Sequence, residues 1–421
     1  MKPAYFNFFL LIPTLSILMG CNSSSTSEVA AVKSATTETA TIKTENSGSK
    51  GLSAQTLALG ISELPATLKE TYTEALHFNR YTKVDTPNGM AIHIVAQNQV
   101  TDNQIVRARS ILMHFLAPLP GSEYGADKGA VANKMSENGA VLMLLNGVDD
   151  GTNKAAELDG QPLYYGEIQV EGHPWYIEQD YTHRDASFEE ILHLVHDYGI
   201  GVDHNATFIG ALPSFQAEIR AAQVDALSNN LWGMGAPEWI AELSAENSLS
   251  QEYLAAVIDV YYGLWGANTE HVTTGMYDIY VAKVRGDIAN EDASGALLLD
   301  NKFFSPFLTY NARIDEGFIG DFSLRLNTDL PYSHHAQYLK DVTLTGTNNS
   351  NVIVNQLDNN ITGNAGENTV IFSGPSSEYL VTNENDRVIV QDMRDNRDGE
   401  NTLTMIEKLK FSDTTIDVPS N

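Results

Sequence analysis

From Asp102 to Phe115 (DNQIVRARSILMHF) the apolar positions Ile105, Val106, Ala108, Ile111, Leu112 and Phe115 recur at helical spacing, which predicts an amphipathic helix. Val131 to Glu137 predicts a second helix, followed by a strand from Ala140 to Leu145. Further strands are expected around Tyr164-Tyr165 and Trp175-Tyr176-Ile177. Ser187 to Tyr198 reads as a helix, capped by Asp185 or Ser187, with Glu189 and Glu190 in its first turn where the dipole favours acids. Gly199 or Gly201 can end it. Phe215 to Leu227 and Gln251 to Tyr262 predict two more helices. Strands and helices are interspersed without a regular βαβ rhythm, and no glycine-rich phosphate loop follows a strand. An α+β domain is therefore expected over residues 56–340, not a nucleotide-binding sheet.

The first residues follow a different pattern. Lys2 precedes an apolar run from Phe6 to Met19, interrupted only by Asn7, Pro13 and single hydroxyls. A spanning helix needs ~20 apolar residues, so the run fits the core of a signal peptide instead. It ends in Leu18-Met19-Gly20-Cys21, which resembles the lipobox of bacterial lipoproteins. That resemblance implies loss of residues 1–20, acylation of Cys21 and a membrane partner reached through lipid. Several acyl chains anchor stably where one is marginal. Asn22, in place of Asp, implies sorting to the outer membrane within the cell envelope. Residues 22–55 are rich in Ser, Thr, Ala, Glu and Lys and lack any aromatic residue, so a disordered tether is expected there.

Composition narrows the function classes. Cys21 is the only cysteine, so no disulfide or thiol chemistry remains once it is acylated. The formal charge of −29 becomes −30 when residues 1–20, whose only charge is Lys2, are removed. So acidic a surface repels nucleic acid and anionic headgroups, and no nucleic-acid partner is expected. A hydrophobic content of 43% is ample for a core, and 421 residues suggest two or three domains.

The segment Asp185 to Gly199 carries the candidate chemistry. At about 100° per residue, with Glu189 at zero, His193 falls near ~40° and His196 near ~−20°, so the three share one stripe. Glu190 lies about 100° round, beside it. Ile191, Leu192, Leu194 and Val195 cover much of the remaining surface, which implies a buried helix. Buried ionisable groups on one stripe need a partner, and a shared metal ion supplies one. The layout resembles the HExxH motif of zinc peptidases, with Glu189-Glu190-Ile191-Leu192-His193 aligned and the first histidine replaced by Glu189. The resemblance implies Zn²⁺ held by Glu189, His193 and either His196 or Glu252, the last on a later helix as in gluzincins. It also implies Glu190 as general base and Tyr261 or Tyr262 at the oxyanion. An edge strand from His173 to Glu178 would pair with substrate. The stretch 102–146 resembles the upstream part of lethal-factor-like peptidase domains. The plain alternative is a capped amphipathic helix whose histidines hydrogen-bond within the protein. His183 and His204 flank the helix, and His334-His335 is expected in a surface loop. No G-x-S-x-G elbow supports serine catalysis.

Asn, Gly and Thr dominate residues 343–369, and a domain boundary is expected near Lys340. Ile361 to Val370 (ITGNAGENTV) resembles one RTX nonapeptide, with Asn364 replacing a glycine and Asn368 the aspartate. The β-rich stretches that follow, from Val370-Ile371-Phe372 to Leu409-Lys410-Phe411, are similar to the tail of that family. This implies a small all-β domain over 341–421 and possible Ca²⁺ contacts at Asn364 and Asn368. A small β-domain with Asn/Gly turns and no ion is the alternative. Together these readings lead to the expectation of a lipid-anchored lipoprotein with a zincin-like hydrolase domain acting on a peptide or protein. The rival is a non-catalytic binding or adhesion lipoprotein.

Overall fold

The computed structural model describes residues 51–181, 184–205 and 207–418. The signal segment, Cys21, all of the tether up to residue 50, and His183 lie outside them. The first described element, helix α1 (Ala54–Ala58), overlaps the expected end of the tether: it is capped by Ser53, and Thr56 donates to Asp102 at 2.6 Å. Among the described residues no helix is long and apolar enough to cross a membrane.

The protein is mixed α/β, with three sheets and a C-terminal run of strands. The first sheet contains β1 (Phe78–Asp85), β2 (Ala91–Gln97), β3 (Val141–Leu145) and β4 (Gln161–Tyr164), in that order. β1 and β2 are antiparallel, whereas β3 and β4 join in parallel. All five residues of β3 are buried, as expected of a strand paired on both sides and covered by helices. Helix α2 (Asp102–Leu116) starts on a reciprocal capping box between Thr101 and Gln104 and buries the stripe its spacing predicts. α3 (Gly129–Glu137) follows it.

One expected strand is a helix. His173 to Glu178 forms the single turn α4 (Pro174–Glu178), with Pro174 at its first position and the His173 ring accepting from the Trp175 amide at 3.3 Å. Proline's fixed φ favours a helix start, and this local chemistry overrides the aromatic strand propensity of Trp175-Tyr176-Ile177. The strand at the sheet edge beside the motif helix is β4.

The motif helix is α5 (Ser187–Val195), which continues as a π-helical turn, His196–Ile200. Gly199 is needed there. A Cβ would lie 2.7 Å from Val131 and Met135 of α3, too close for any other side chain. The remaining helices are α6 (Pro213–Ser228), α7 (Pro237–Glu246), α8 (Leu249–Tyr261), α9 (Arg285–Glu291) and α10 (Ala293–Leu299). α5 is packed between α2, α8 and β4. Phe188, Ile191, Leu192, Leu194 and Val195 are fully buried, so the helix is enclosed on almost every side.

The strand run begins upstream of Lys340. β5 (Leu308–Ile314), β7 (Leu339–Leu344), β9 (Asn359–Thr362) and β13 (Glu400–Thr404) lie parallel in one sheet. β6 (Gly320–Ser323), β8 (Ser350–Ile353), β10 (Thr369–Ile371) and β14 (Lys408–Lys410) lie parallel in the other. The chain alternates between the two sheets, adding the hairpin β11 (Tyr379–Glu384) and β12 (Arg387–Asp392) to the first and β15 (Thr415–Asp417) to the second. Both sheets contain strands from either side of Lys340. The compositional shift marks where turns become Asn-rich, and the sheets start before it. The turn α11 (Ser333–Ala336) buries His335, whose Nδ1 meets the Tyr262 carbonyl at 2.7 Å, so the His334-His335 pair is packed and not a surface loop.

α2 also meets β5, where Arg107 is sealed from solvent. Its guanidinium reaches Glu171 at 2.6 Å, Tyr310 at 3.2 Å and Asp185. Tyr310 donates to Glu171 at 2.8 Å. Removing one partner of such a group strands the other charges in a low dielectric. Arg107→Ala is therefore expected to destabilise the protein by about 3–5 kcal/mol, measured by urea unfolding. A loss below about 1 kcal/mol would show that water reaches Glu171 and Asp185.

Candidate metal centre

Four residues separate Glu189 from His193, one helical turn, so both project from the same face of α5. That face meets α8, whose first turn carries Glu252. Glu189, His193 and Glu252 each offer a ligand atom within 4.8 Å of the others. His193 Nε2 lies 3.8 Å from Glu252 Oε1, and it is buried without a hydrogen-bond partner. Ligands about 2.0 Å from a tetrahedral ion would stand roughly 3.3 Å apart, so a small inward adjustment closes the set. An orphaned imidazole nitrogen facing two carboxylates fits a divalent metal. With one imidazole and two hard oxygens, it suits Zn²⁺ without excluding Mn²⁺ or Fe²⁺.

Glu190 stands beside this set, at the sheet edge. Its Oε2 accepts from Gln161 Nε2 of β4 at 2.6 Å and lies 3.7 Å from His193 Nδ1. Glu167 stands near it. Burial foremost, then the negative charge of Glu190, pushes the Glu167 carboxyl up to about 8 against the pull of Arg184. On its outer side Glu189 is held by Arg184, Nη1 to Oε2 at 2.5 Å. The Arg184 guanidinium lies 5.7 Å from the Tyr277 ring centroid. Met276, Tyr277 and Asp278 all have positive φ, at 38°, 54° and 68°. Three such non-glycine residues in a row store backbone strain beside the cluster.

The field of these carboxylates acts on His193. Burial alone would lower its pKa, but Glu252 foremost, then Glu190 and Glu189, push it up to about 10. Glu252 is raised by burial, against the opposing pull of His193. The imidazole therefore carries its proton at neutral pH and must release it to bind a metal.

Two residues of the expected site lie apart. His196 is seven residues from Glu189, about 10 Å along the axis, which carries it past the cluster. It is fully buried, with Nε2 2.6 Å from the side-chain amide of Gln216 on α6, and burial lowers its pKa to about 4. Tyr261 is nine residues after Glu252, about 13 Å further along α8. Its ring is covered by Arg285, whose guanidinium is 3.8 Å from the centroid. Tyr262 donates to the Ser305 carbonyl at 2.7 Å. Neither tyrosine faces the cluster. His204 is exposed.

Sequence reasoning gave no role to Gln161, Glu167, Arg184, Asp259 or Tyr277. Only Asp259 carried a signal, since seven residues after Glu252 is the same helix face.

In the strand module, Asn364 and Asn368 have their amides engaged. Asn364 Nδ2 donates to the carbonyls of Thr345 at 2.9 Å and Asn348 at 3.0 Å, and Asn368 Nδ2 donates to that of Ser350 at 2.9 Å. Their oxygens accept from the Gly366 and Asn364 amides. Asn355 and Asn359 donate likewise to Leu339 and Lys340. Each amide joins successive turns through neutral hydrogen bonds.

Compared with known proteins, the chain matches no family model and no curated sequence.

The two histidines should separate cleanly. His193→Ala is expected to abolish zinc uptake, whereas His196→Ala should retain it and lose about 1–3 kcal/mol of stability, because one buried atom of the Gln216 amide loses its imidazole partner while Ser250 still holds the other. Equal loss of zinc in both variants would place His196 among the ligands. The metal-free protein should also respond to pH. Because the folded pKa of His193 is raised, its stabilising contribution is complete below the ordinary value of about 6.5 and is lost as pH rises through about 10. Thermal unfolding from pH 6 to 10 should show this slope, and His193→Gln should flatten it.

Proposed function

We propose that the protein is a metal-dependent hydrolase of the cell envelope, tethered through lipid on Cys21 and acting on peptide bonds. One observation carries the catalytic half of this reading: His193 Nε2 is buried, makes no hydrogen bond among the described residues, and is faced by the carboxylates of Glu189 and Glu252. The HExxH-like spacing of Glu189, Glu190 and His193 and the contribution of Glu252 from a later helix support the peptidase class. A bound Zn²⁺ supplies Lewis acidity to the scissile carbonyl and to water. Glu190 takes a proton from the attacking water at Oε2, where Gln161 already orients it. Glu167, pushed up to about 8, holds a proton beside Glu190 at neutral pH. β4 offers its outer edge to an extended substrate backbone next to Glu190.

A second reading is favoured by the Arg184–Glu189 ion pair. If that pair is permanent, the cluster is neutralised from within and the protein is a binding or adhesion lipoprotein without catalysis. Elemental analysis of protein purified without a polyhistidine tag separates the two. About one equivalent of zinc, absent from His193→Ala, is expected of the hydrolase. Glu190→Gln should then keep the metal and lower hydrolysis of a peptide library by about 10²–10⁴-fold. Undiminished hydrolysis in Glu190→Gln removes it from the mechanism. No metal after zinc is offered at neutral pH leaves the binding protein.

A further inference from the structure

Arg184 occupies an unusual position for a residue next to a metal cluster. Its guanidinium contacts Glu189 Oε2 at 2.5 Å and so brings a positive charge to a carboxylate that a cation would need. Beside it lies a small cavity lined by Gln169, Asp185, Arg184 and Trp265. Two buried acceptors near this cavity have no hydrogen-bond partner among the described residues: Gln169 Oε1, and Asp259 Oδ1 on α8. The other oxygen of Asp259 accepts from Trp265 Nε1 at 3.2 Å. An unpaired buried acceptor costs about 1–3 kcal/mol, and more when it is charged. Gln169 lines the cavity together with Arg184, and Arg184 pulls down the Asp259 carboxyl that burial and Glu189 hold well above the ordinary range, so the two form a second seat for the guanidinium.

We propose that Arg184 is a displaceable internal counter-cation, bound to Glu189 while the centre is metal-free and transferred to Asp259 and Gln169 when a divalent cation takes Glu189. This rests on the metal-centre reading above. Metal entry then requires one charge-assisted hydrogen bond to break, which weakens binding and raises the free-metal concentration at which the centre half-fills. Arg184 is in this sense a positioning residue that regulates loading. The two seats also differ in a visible way, because the second lies against the indole that hydrogen-bonds Asp259.

Competitive zinc titration against a chromophoric chelator, followed together with tryptophan emission, tests this on the purified protein. Arg184→Met is expected to bind zinc about tenfold more tightly than wild type, the order of one charge-assisted hydrogen bond no longer broken. Zinc should shift the emission of wild type, and Trp265→Phe should remove that shift. Arg184→Met should lack it too. Asp259→Asn keeps the Arg184–Glu189 pair but removes the carboxyl that can ionise to receive Arg184, and should bind zinc more weakly. Equal or weaker binding by Arg184→Met, or an emission unmoved by zinc in wild type, overturns the proposal. If Arg184→Met does not fold, the Asp259→Asn affinity and the Trp265 signal decide it. Zinc uptake with equal affinity in wild type and Arg184→Met defeats this proposal alone. Failure of both to take up zinc defeats the metal centre and this proposal with it.

Discussion

Arg107, enclosed between Glu171 and Asp185, sets the geometry on which the candidate centre depends. A guanidinium in a low dielectric is tolerable only if carboxylates meet it in fixed positions, so the segments that carry those carboxylates are fixed too. Asp185 is held by Arg107 through one oxygen and accepts from the Ser187 amide with the other, at 3.1 Å, which fixes the start of α5. The neighbouring Arg184 is thereby directed at Glu189, one turn before His193, and His193 faces Glu252. Buried charges of alternating sign run from Glu171 to α8, and each is acceptable because of the next.

The two halves of the molecule solve the same problem with different chemistry. From Glu171 to Glu252 the buried polar groups around the candidate centre are mostly ions, each set against a counter-charge. In the Asn-rich turns of the strand module they are amides, which donate and accept at once and satisfy successive turns without net charge, and ions return only later, where Asp392 and Asp398 meet Arg397 and Arg325. Asn364 and Asn368 serve each other as well as the backbone. A neutral ladder can be extended by repetition along the chain. The ionic chain closes only in one arrangement.

Much of this was legible in the sequence wherever a period was long. The helices over 102–116, 129–137, 213–228 and 249–261 follow their apolar spacing closely. The Glu189–His193 pair was visible as a one-turn spacing, and Glu252 as a carboxylate on the next long helix. Trp175-Tyr176-Ile177 misled because three residues cannot distinguish a strand from a turn, and Pro174 decided it. His196 misled because angular projection ignores axial rise. Tyr261 misled for a similar reason, since its helix carries it beyond the cluster. Arg184 and Gln161 were invisible because their roles depend on which segments meet, which no local period encodes. The start of the sheets at Leu308 was hidden by composition: β5 and β6 lack the Asn-rich turns that mark their later neighbours.

The span of the Arg107–Tyr310 contact has a kinetic meaning. The two residues are 203 positions apart, so the pocket that neutralises Arg107 is incomplete until β5 has been made and docked on α2. Bringing such distant partners together carries a loop-closure cost that local helix formation does not offset, and chains dominated by such contacts fold slowly. The segment Asp185 to Gly199 can coil early and meet Arg107 of α2, but Arg107 gains Tyr310 only after β5 arrives. A chain that has not yet docked β5 therefore carries the glutamates and histidine of the candidate centre while the Arg107 pocket beside them is still open.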